Sequence, residues 1–529
     1  MYRRSISFVL LLVVTFSGLA IGRDRIDDRV LAQIKAEGFQ NSKAMDTVGY
    51  LTDVFGHRLT HSENLKKAKA WMMSKMTEFG LENVRAEPWG NWGQGWNLER
   101  FSVEMTAPTY ERLHAYPLAW TPSTNGIVSG EPISVSIRSK DDFEKYRGKL
   151  KGAIVMNGRV TFPTPESRAG DPFKRLTDEE LRKKAAVIDP AKDPDGGGTT
   201  TYHDEEKDWL EALKRGKEVT QFLKSEGVAA VINPSSRPNG VLAVQGSYFP
   251  DPAINPPTFV LAREQFARIA RLLERKIPVK VELGLQTKSD PDGTGSNVIG
   301  EIPGSDPKLK AEVVMLGGHF DSWHSGTGAA DNAASCVALV EALRILKAVG
   351  LKPRRTIRVV LWDGEEQDYY GSIGYVTKHY GDPFTINIKP AHSNLSAYYN
   401  LDNGAGRIRG IYLQGNEESR RIFQEFLGPF AYLGASTITT LNTGGTDHMS
   451  FDSIGLPGFQ FIQDPLDYNT RVHHTNMDVL EAVVEEDLKV NAVIVAAVAY
   501  QTAMMNEKMP RKELPKPAEG DWYLPQNRP

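Results

Sequence analysis

Apolar and polar positions alternate along this chain with three different textures. Residues 64–79 carry Ala68, Trp71, Met72 and Met76 at helical spacing, so the segment from Arg25 to about Gly80 reads as a helical lead-in. Between about Leu98 and Leu283 the pattern breaks into short β-like runs separated by Gly, Pro and Asp clusters, with strands expected at 152–156, 229–232 and 258–261. From Asn297 to Asn506 strand and helix alternate. Strands are expected at 313–316, 356–362, 395–401 and 458–462, and helices at 332–349, 371–380, 417–427 and 481–504. Such alternation predicts an α/β fold whose mainly parallel sheet is flanked by helices on both faces. Within the β-like stretch, residues 161–208 are polar and include Asp193-Pro-Asp-Gly-Gly-Gly198, which predicts an exposed, mobile loop excursion.

The two ends depart from this pattern. Arg3 and Arg4 precede an apolar run from Phe8 to Phe16, followed by Gly18, Ala20 and Gly22, as in a signal for export that is cleaved after Ala20 or Gly22. The run is shorter than the ~20 apolar residues of a spanning helix, so the expected product is exported, secreted or periplasmic, without stable membrane insertion. The last twenty residues include five prolines and read as an extended tail.

Composition narrows the class further. With 529 residues, 40% hydrophobic and 24% charged, the chain is an ordinary folded protein of several structural units. Loss of the first twenty residues removes Arg3 and Arg4 and no acid, taking the formal charge from −3 to −5; nucleic acid is not an expected partner. Cys336 is the only cysteine, so no internal disulfide holds the fold. The sequence leaves a homodimer open.

Functional groups in open α/β sheets gather beyond the carboxyl ends of the strands. Here the strand at 313–316 runs into Gly-Gly-His319-Phe-Asp321, that at 356–362 into Asp363-Gly-Glu365-Glu366, that at 395–401 into Asp402, and that at 458–462 into a loop with His473-His474. Each motif alone is weak evidence, since a Glu-Glu pair is usually a solvated loop. Only 11 histidines occur in the chain, yet His319, His324, His448, His473 and His474 fall in or near these loops. His319, Asp331, Glu366, Asp402 and His474 supply two imidazoles and three carboxylates, the donor types that zinc takes; a pair of ions needs one bridging carboxylate. Asp331 is expected to open the helix beginning at Asn332, whose backbone N–H groups would steady it. Glu365 is left over as a base that takes a proton from water and passes it to a leaving amine. Asp321 is expected to accept the second N–H of the His319 ring.

Together Gly317-Gly-His319-Phe-Asp321, Gly328-Ala-Ala-Asp331-Asn332, Asp363-Gly-Glu365-Glu366, Asn400-Leu-Asp402 and His474-Thr-Asn-Met-Asp478 resemble the M28 family of co-catalytic zinc peptidases. The resemblance implies a zinc exopeptidase fold of the phosphorylase/hydrolase-like kind and two zinc ions per chain. His319 and Asp402 would hold one, Glu366 and His474 the other, and Asp331 both, with Glu365 as general base. Arg58-Leu-Thr60-His-Ser62, residues 89–96 and Ala119-Trp120-Thr121-Pro122 resemble the lead-in of the carboxypeptidase Q branch, and the β-rich stretch resembles a protease-associated domain. The implied division is a signal at 1–20, a lead-in of the peptidase domain at 25–110, a protease-associated-like insert at 111–284, a catalytic di-zinc domain at 285–508 and the Pro-rich tail at 509–529. Candidate donors to a developing oxyanion are His473, His448 and Tyr468.

The expected activity is hydrolysis of the peptide bond of dipeptides or short peptides. The same fold also serves aminopeptidases, non-catalytic receptor-like relatives and hydrolases of other amides. No P-loop, His-Glu-x-x-His helix or Gly-x-Ser-x-Gly elbow occurs in the chain. Trp89, Trp92 and Trp96 read as core or interface aromatics.

Overall fold

The computed structural model describes residues 26–158, 173–187, 202–246 and 254–520. The export signal, Asp193 to Gly198 and the end of the tail lie outside the described residues.

Eight strands form the main sheet, in the order Glu82–Asn91, Thr294–Ile302, Thr356–Trp362, Val313–His319, Leu395–Asn400, Gly458–Gln463, Ile408–Tyr412, Thr437–Thr439. The four central strands are mutually parallel. Antiparallel partners flank them, with Thr294–Ile302 on one side and Ile408–Tyr412 on the other. Val313–His319 and Leu395–Asn400 are buried along their whole length, as strands covered on both faces must be. One face is covered by Ala334–Ala348 and Glu485–Met504, both buried along most of their length. On the other, Trp362, Tyr375, Tyr398 and Phe451 form a second core.

The helices differ from expectation mainly at their starts. The expected helix at 332–349 begins at Ala334, because Ala329–Ala333 form a separate wide turn in which Asp331 and Asn332 have non-helical backbone angles. The lead-in contains three helices, Asp28–Gln40, Ala44–Phe55 and Glu63–Glu78, the last capped by the Ser62 side chain on Leu65 N–H. Its following strand, Glu82–Asn91, pairs with Thr294–Ile302 at the sheet edge.

Two further sheets lie between these segments in sequence. The long strands Gly95–Ala107 and Lys280–Asp290 pair antiparallel along their length, so the chain leaves and re-enters side by side. A five-stranded sheet is built from Ala115–Pro117, Thr258–Leu261, Ala230–Pro234, Ile154–Asn157 and Ile133–Val135. The expected loop excursion at 161–208 is corrected where it is described. Asp178–Ala186 is a helix, and Tyr202–Ser225 is a second one. Thr177 and Glu180 form a reciprocal capping box that nucleates the first. Arg175 pairs with Asp464 and Asp487 and holds that segment to the main domain.

Candidate metal centre

The four central strands end on one side of the sheet around a cleft of about 420 Å³. His319 is the last residue of its strand and is 1% exposed. Its Nε2 faces Asp331 Oδ1 at 3.2 Å and Asp402 Oδ1 at 3.4 Å, with Glu365 Oε2 at 4.0 Å. On the other side of Asp331, His474 Nε2 lies 3.4 Å from Asp331 Oδ2 and 3.0 Å from Glu366 Oε2. All five expected ligands therefore meet in one cleft, in two groups that share Asp331.

Two metal-sized groupings follow from these positions: His319 with Asp331 and Asp402, and Asp331 with His474 and His473. His473 enters the second because its Nε2 is 4.0 Å from Asp331 Oδ2, yet its side chain is 37% exposed. Glu366 is almost buried and closer to His474.

The residues present fit a cation. Asp331 Oδ2, Glu366 Oε1 and Asp402 Oδ1 are buried with no hydrogen-bond partner, an arrangement that costs several kcal/mol unless something positive neutralises it. Burial, opposed by His319 and reinforced by Asp402, Asp447 and Glu366, pushes Glu365 well above the ordinary carboxylate range. Although burial works against it, Asp402 and Glu365 hold His319 well above the usual imidazole value. Two imidazoles and three carboxylates are donors that suit zinc.

Around this centre the structure revises several expected roles. His319 Nδ1 lies 3.0 Å from the backbone carbonyl of Asp321, and the Asp321 carboxylate is farther, at 3.8 Å. The carbonyl is thus the nearer acceptor for Nδ1, while the carboxylate accepts the backbone N–H groups of Glu365 and Glu366 and the Thr60 hydroxyl. Asp321 holds the two-glutamate turn in place. Asp331 is not steadied by a helix N-terminus, because its N–H and that of Ala330 donate to the carboxylate of Asp478. Burial and the Asp331 charge push Asp478 up to about 8.

The oxyanion candidates separate. Tyr468 and His473 line the cleft, their rings 4.8 Å apart, and His473 packs on His474 at 3.7 Å. Burial and the neighbouring His474 push the His473 ring down to about 4. His448 does not line the cleft. It starts the short helix His448–Asp452 and is fully buried, with Nε2 donating to the Thr443 carbonyl. His324 likewise turns away, 2.9 Å from the Pro117 carbonyl. Trp89 and Trp96 donate to Asp363 and to the Thr121 carbonyl, and Trp92 packs edge-on against Trp120.

Sequence reasoning assigned no role to several supporting residues. Arg58 is fully buried and donates to the carbonyls of Phe320, Thr327 and Gly328, tying the loop after His319 to the turn that carries Asp331. Cys336 directs its thiol at the His319 carbonyl, and burial pushes it up to about 12. Gln245 reaches His474 Nδ1 at 3.0 Å. Arg58 and Asp478 sat inside motifs already noted, whereas nothing in the sequence pointed to Gln245.

Known proteins resemble this chain over most of its length. The profile of peptidase family M28 matches residues 297–499, the span that includes all five expected ligands. Carboxypeptidase Q of Pongo abelii and of Homo sapiens are each 26% identical, over 94% of this chain and 96% of theirs. Among solved structures, a peptidase M28 precursor from Shewanella amazonensis superposes with a TM-score of 0.66 at 23% identity, covering 92% of this chain and 98% of that one. BSAP, a zinc aminopeptidase from Bacillus subtilis, has a TM-score of 0.53 at 18% identity, covering 86% and 93%. These likenesses carry the fold.

Proposed function

We propose, from the premise that residues 297–499 belong to peptidase family M28, that this chain is an exported zinc metallo-exopeptidase acting on dipeptides or short peptides. The observation that carries the reading is the pair of histidine and carboxylate groups sharing Asp331 at the strand ends. His319 and Asp402 would hold one ion, Glu366 and His474 the other, and Asp331 would serve both. Two zinc ions held there would supply Lewis acidity to a peptide carbonyl and bring a water's acidity near neutrality.

The remaining steps belong to the chain's own side chains. Glu365 sits within 4.0 Å of His319 Nε2 and has no metal to hold, so it receives the proton of the attacking water and passes it to the departing amine. Its raised affinity for a proton, caused by burial among other carboxylates, suits a group that must hold that proton between the two events. Asp321 fixes the turn that presents Glu365. Tyr468 and His473 stand at the cleft wall as hydrogen-bond partners for the substrate carbonyl.

Action on chain ends is supported by the printed names of the relatives, a carboxypeptidase and an aminopeptidase. Likeness to carboxypeptidase Q over nearly the whole chain favours dipeptidase or carboxypeptidase action. Export is supported by the apolar run from Phe8 to Phe16 behind two arginines, and no helix among the described residues is long and apolar enough to cross a membrane.

The test is a panel of free dipeptides and amino-terminally blocked peptides, assayed with metal content on the same sample before and after chelation. Chelator-sensitive hydrolysis of free dipeptides is expected. Inactivity of metal-replete protein on every short peptide would favour a receptor-like relative. A preference for blocked peptides would remove the readings that need a free amine.

A further inference from the structure

The loop that carries His474 is held by a segment far away in sequence. Val244 N–H donates to the His474 carbonyl at 3.0 Å, Leu242 N–H to Asn476 Oδ1 at 2.7 Å, and Asn476 N–H to the Leu242 carbonyl at 3.1 Å. Ala243 and Thr475 form an antiparallel bridge between them. His474 itself has φ of 59°, a left-handed conformation that a non-glycine residue keeps only when its surroundings impose it. Residues 241–246 impose it here, and they add one side chain. Gln245 brings its amide to 3.0 Å from His474 Nδ1.

We propose that Gln245 is a positioning residue for the metal centre, its amide oxygen accepting the Nδ1–H of His474 so that Nε2 is presented as a lone pair to the ion. The proposal rests on reading the cleft as a metal centre. A neutral imidazole carries one ring proton, so a histidine that gives Nε2 to a metal must place its proton on Nδ1 and find an acceptor for it. His319 has such an acceptor in the Asp321 carbonyl. For His474 the group at that distance is the Gln245 amide. As placed, the amide nitrogen faces Nδ1, while Nε2 lies 3.0 Å from the Glu366 carboxylate. A half-turn of the amide exchanges nitrogen for oxygen at the same place and moves the proton preference to Nδ1. The two histidines are thus supported differently, one by its own strand end and one across 229 residues of chain.

The experiment compares Gln245→Leu and Gln245→Glu with wild type by zinc titration against a chromophoric chelator, which counts ions and ranks their affinities without any assay of activity. Wild type should bind two ions. Gln245→Leu removes the acceptor at similar volume and should weaken one of the two ions by about 10–100-fold. Gln245→Glu keeps an acceptor and should bind both ions at least as tightly as wild type. Thermal unfolding of the metal-free proteins should differ by no more than about 2 °C, separating positioning from a general loss of structure. The proposal is overturned if Gln245→Leu keeps wild-type affinity for both ions, or if Gln245→Glu weakens binding as much as Gln245→Leu. Failure of wild type itself to bind zinc would instead overturn the reading of the cleft.

Discussion

Two clusters of buried carboxylates lie in this molecule, and the chain treats them in opposite ways. Asp464 and Asp487 are at most 1% exposed, and each meets arginine on both sides. Arg175 bridges them at 3.0 and 2.7 Å, Arg407 pairs with Asp487 at 3.0 Å, and Arg409 pairs with Asp464 at 2.9 Å. Leu176 N–H also donates to Asp464. In the cleft, by contrast, the ion pairs of Asp331, Glu365, Glu366 and Asp402 among the described residues are with histidines, and three carboxylate oxygens have no hydrogen-bond partner. A fold able to neutralise one cluster with guanidinium groups had the means to neutralise the other. With only histidines facing it, the cleft cluster can take a cation from outside, and under the proposed function the difference separates carboxylates that build from carboxylates that bind.

The sharpest way to break that comparison is Asp331→Ala. Removing the shared carboxylate should lower metal content at both positions and reduce dipeptide hydrolysis by at least about 10⁴-fold, checked by elemental analysis and turnover on one sample. One zinc remaining fully bound would show that Asp331 does not serve both positions. Next in size is Glu365→Gln, expected to keep both ions while losing about 10²–10⁴ in kcat; loss of metal would mean that the two adjacent glutamates have exchanged roles. The smallest effect belongs to the arginine cluster. Arg409→Ala leaves Arg175 on Asp464 and should destabilise the protein by about 1.5–3 kcal/mol in denaturant unfolding, with metal content unchanged. If Arg409→Ala released metal, the two clusters would not be independent.

Much of the cleft was visible in the sequence because its ligands follow strands with strong apolar runs, and a parallel sheet aligns such strand ends. His319, Asp402 and the Glu365-Glu366 pair belong to that rule. The supporting contacts escape it because they join residues remote in the chain: Gln245 to His474, Asp478 to Ala330, and Arg175 to Asp464. Their partners are chosen by how the domains pack. His448 misleads for the converse reason, since nearness in sequence to the site's loops said nothing of the helical turn that aims its ring at Thr443. The excursion at 161–208 looked like loop because its polarity outweighed Thr177 and Glu180, a local helix-starting signal that the structure uses.

The single thiol, Cys336, lies fully buried under the strand that ends in His319. Only a thiolate is a competent nucleophile, and this one is kept protonated and out of reach of solvent. Alkylating reagents therefore gain access only when the core beneath the metal cleft opens. The rate at which they mark the protein is a clock for that opening, one built into the chain and read without adding a probe. Run with and without metal, the same clock measures how far ions in the cleft lock the sheet below them.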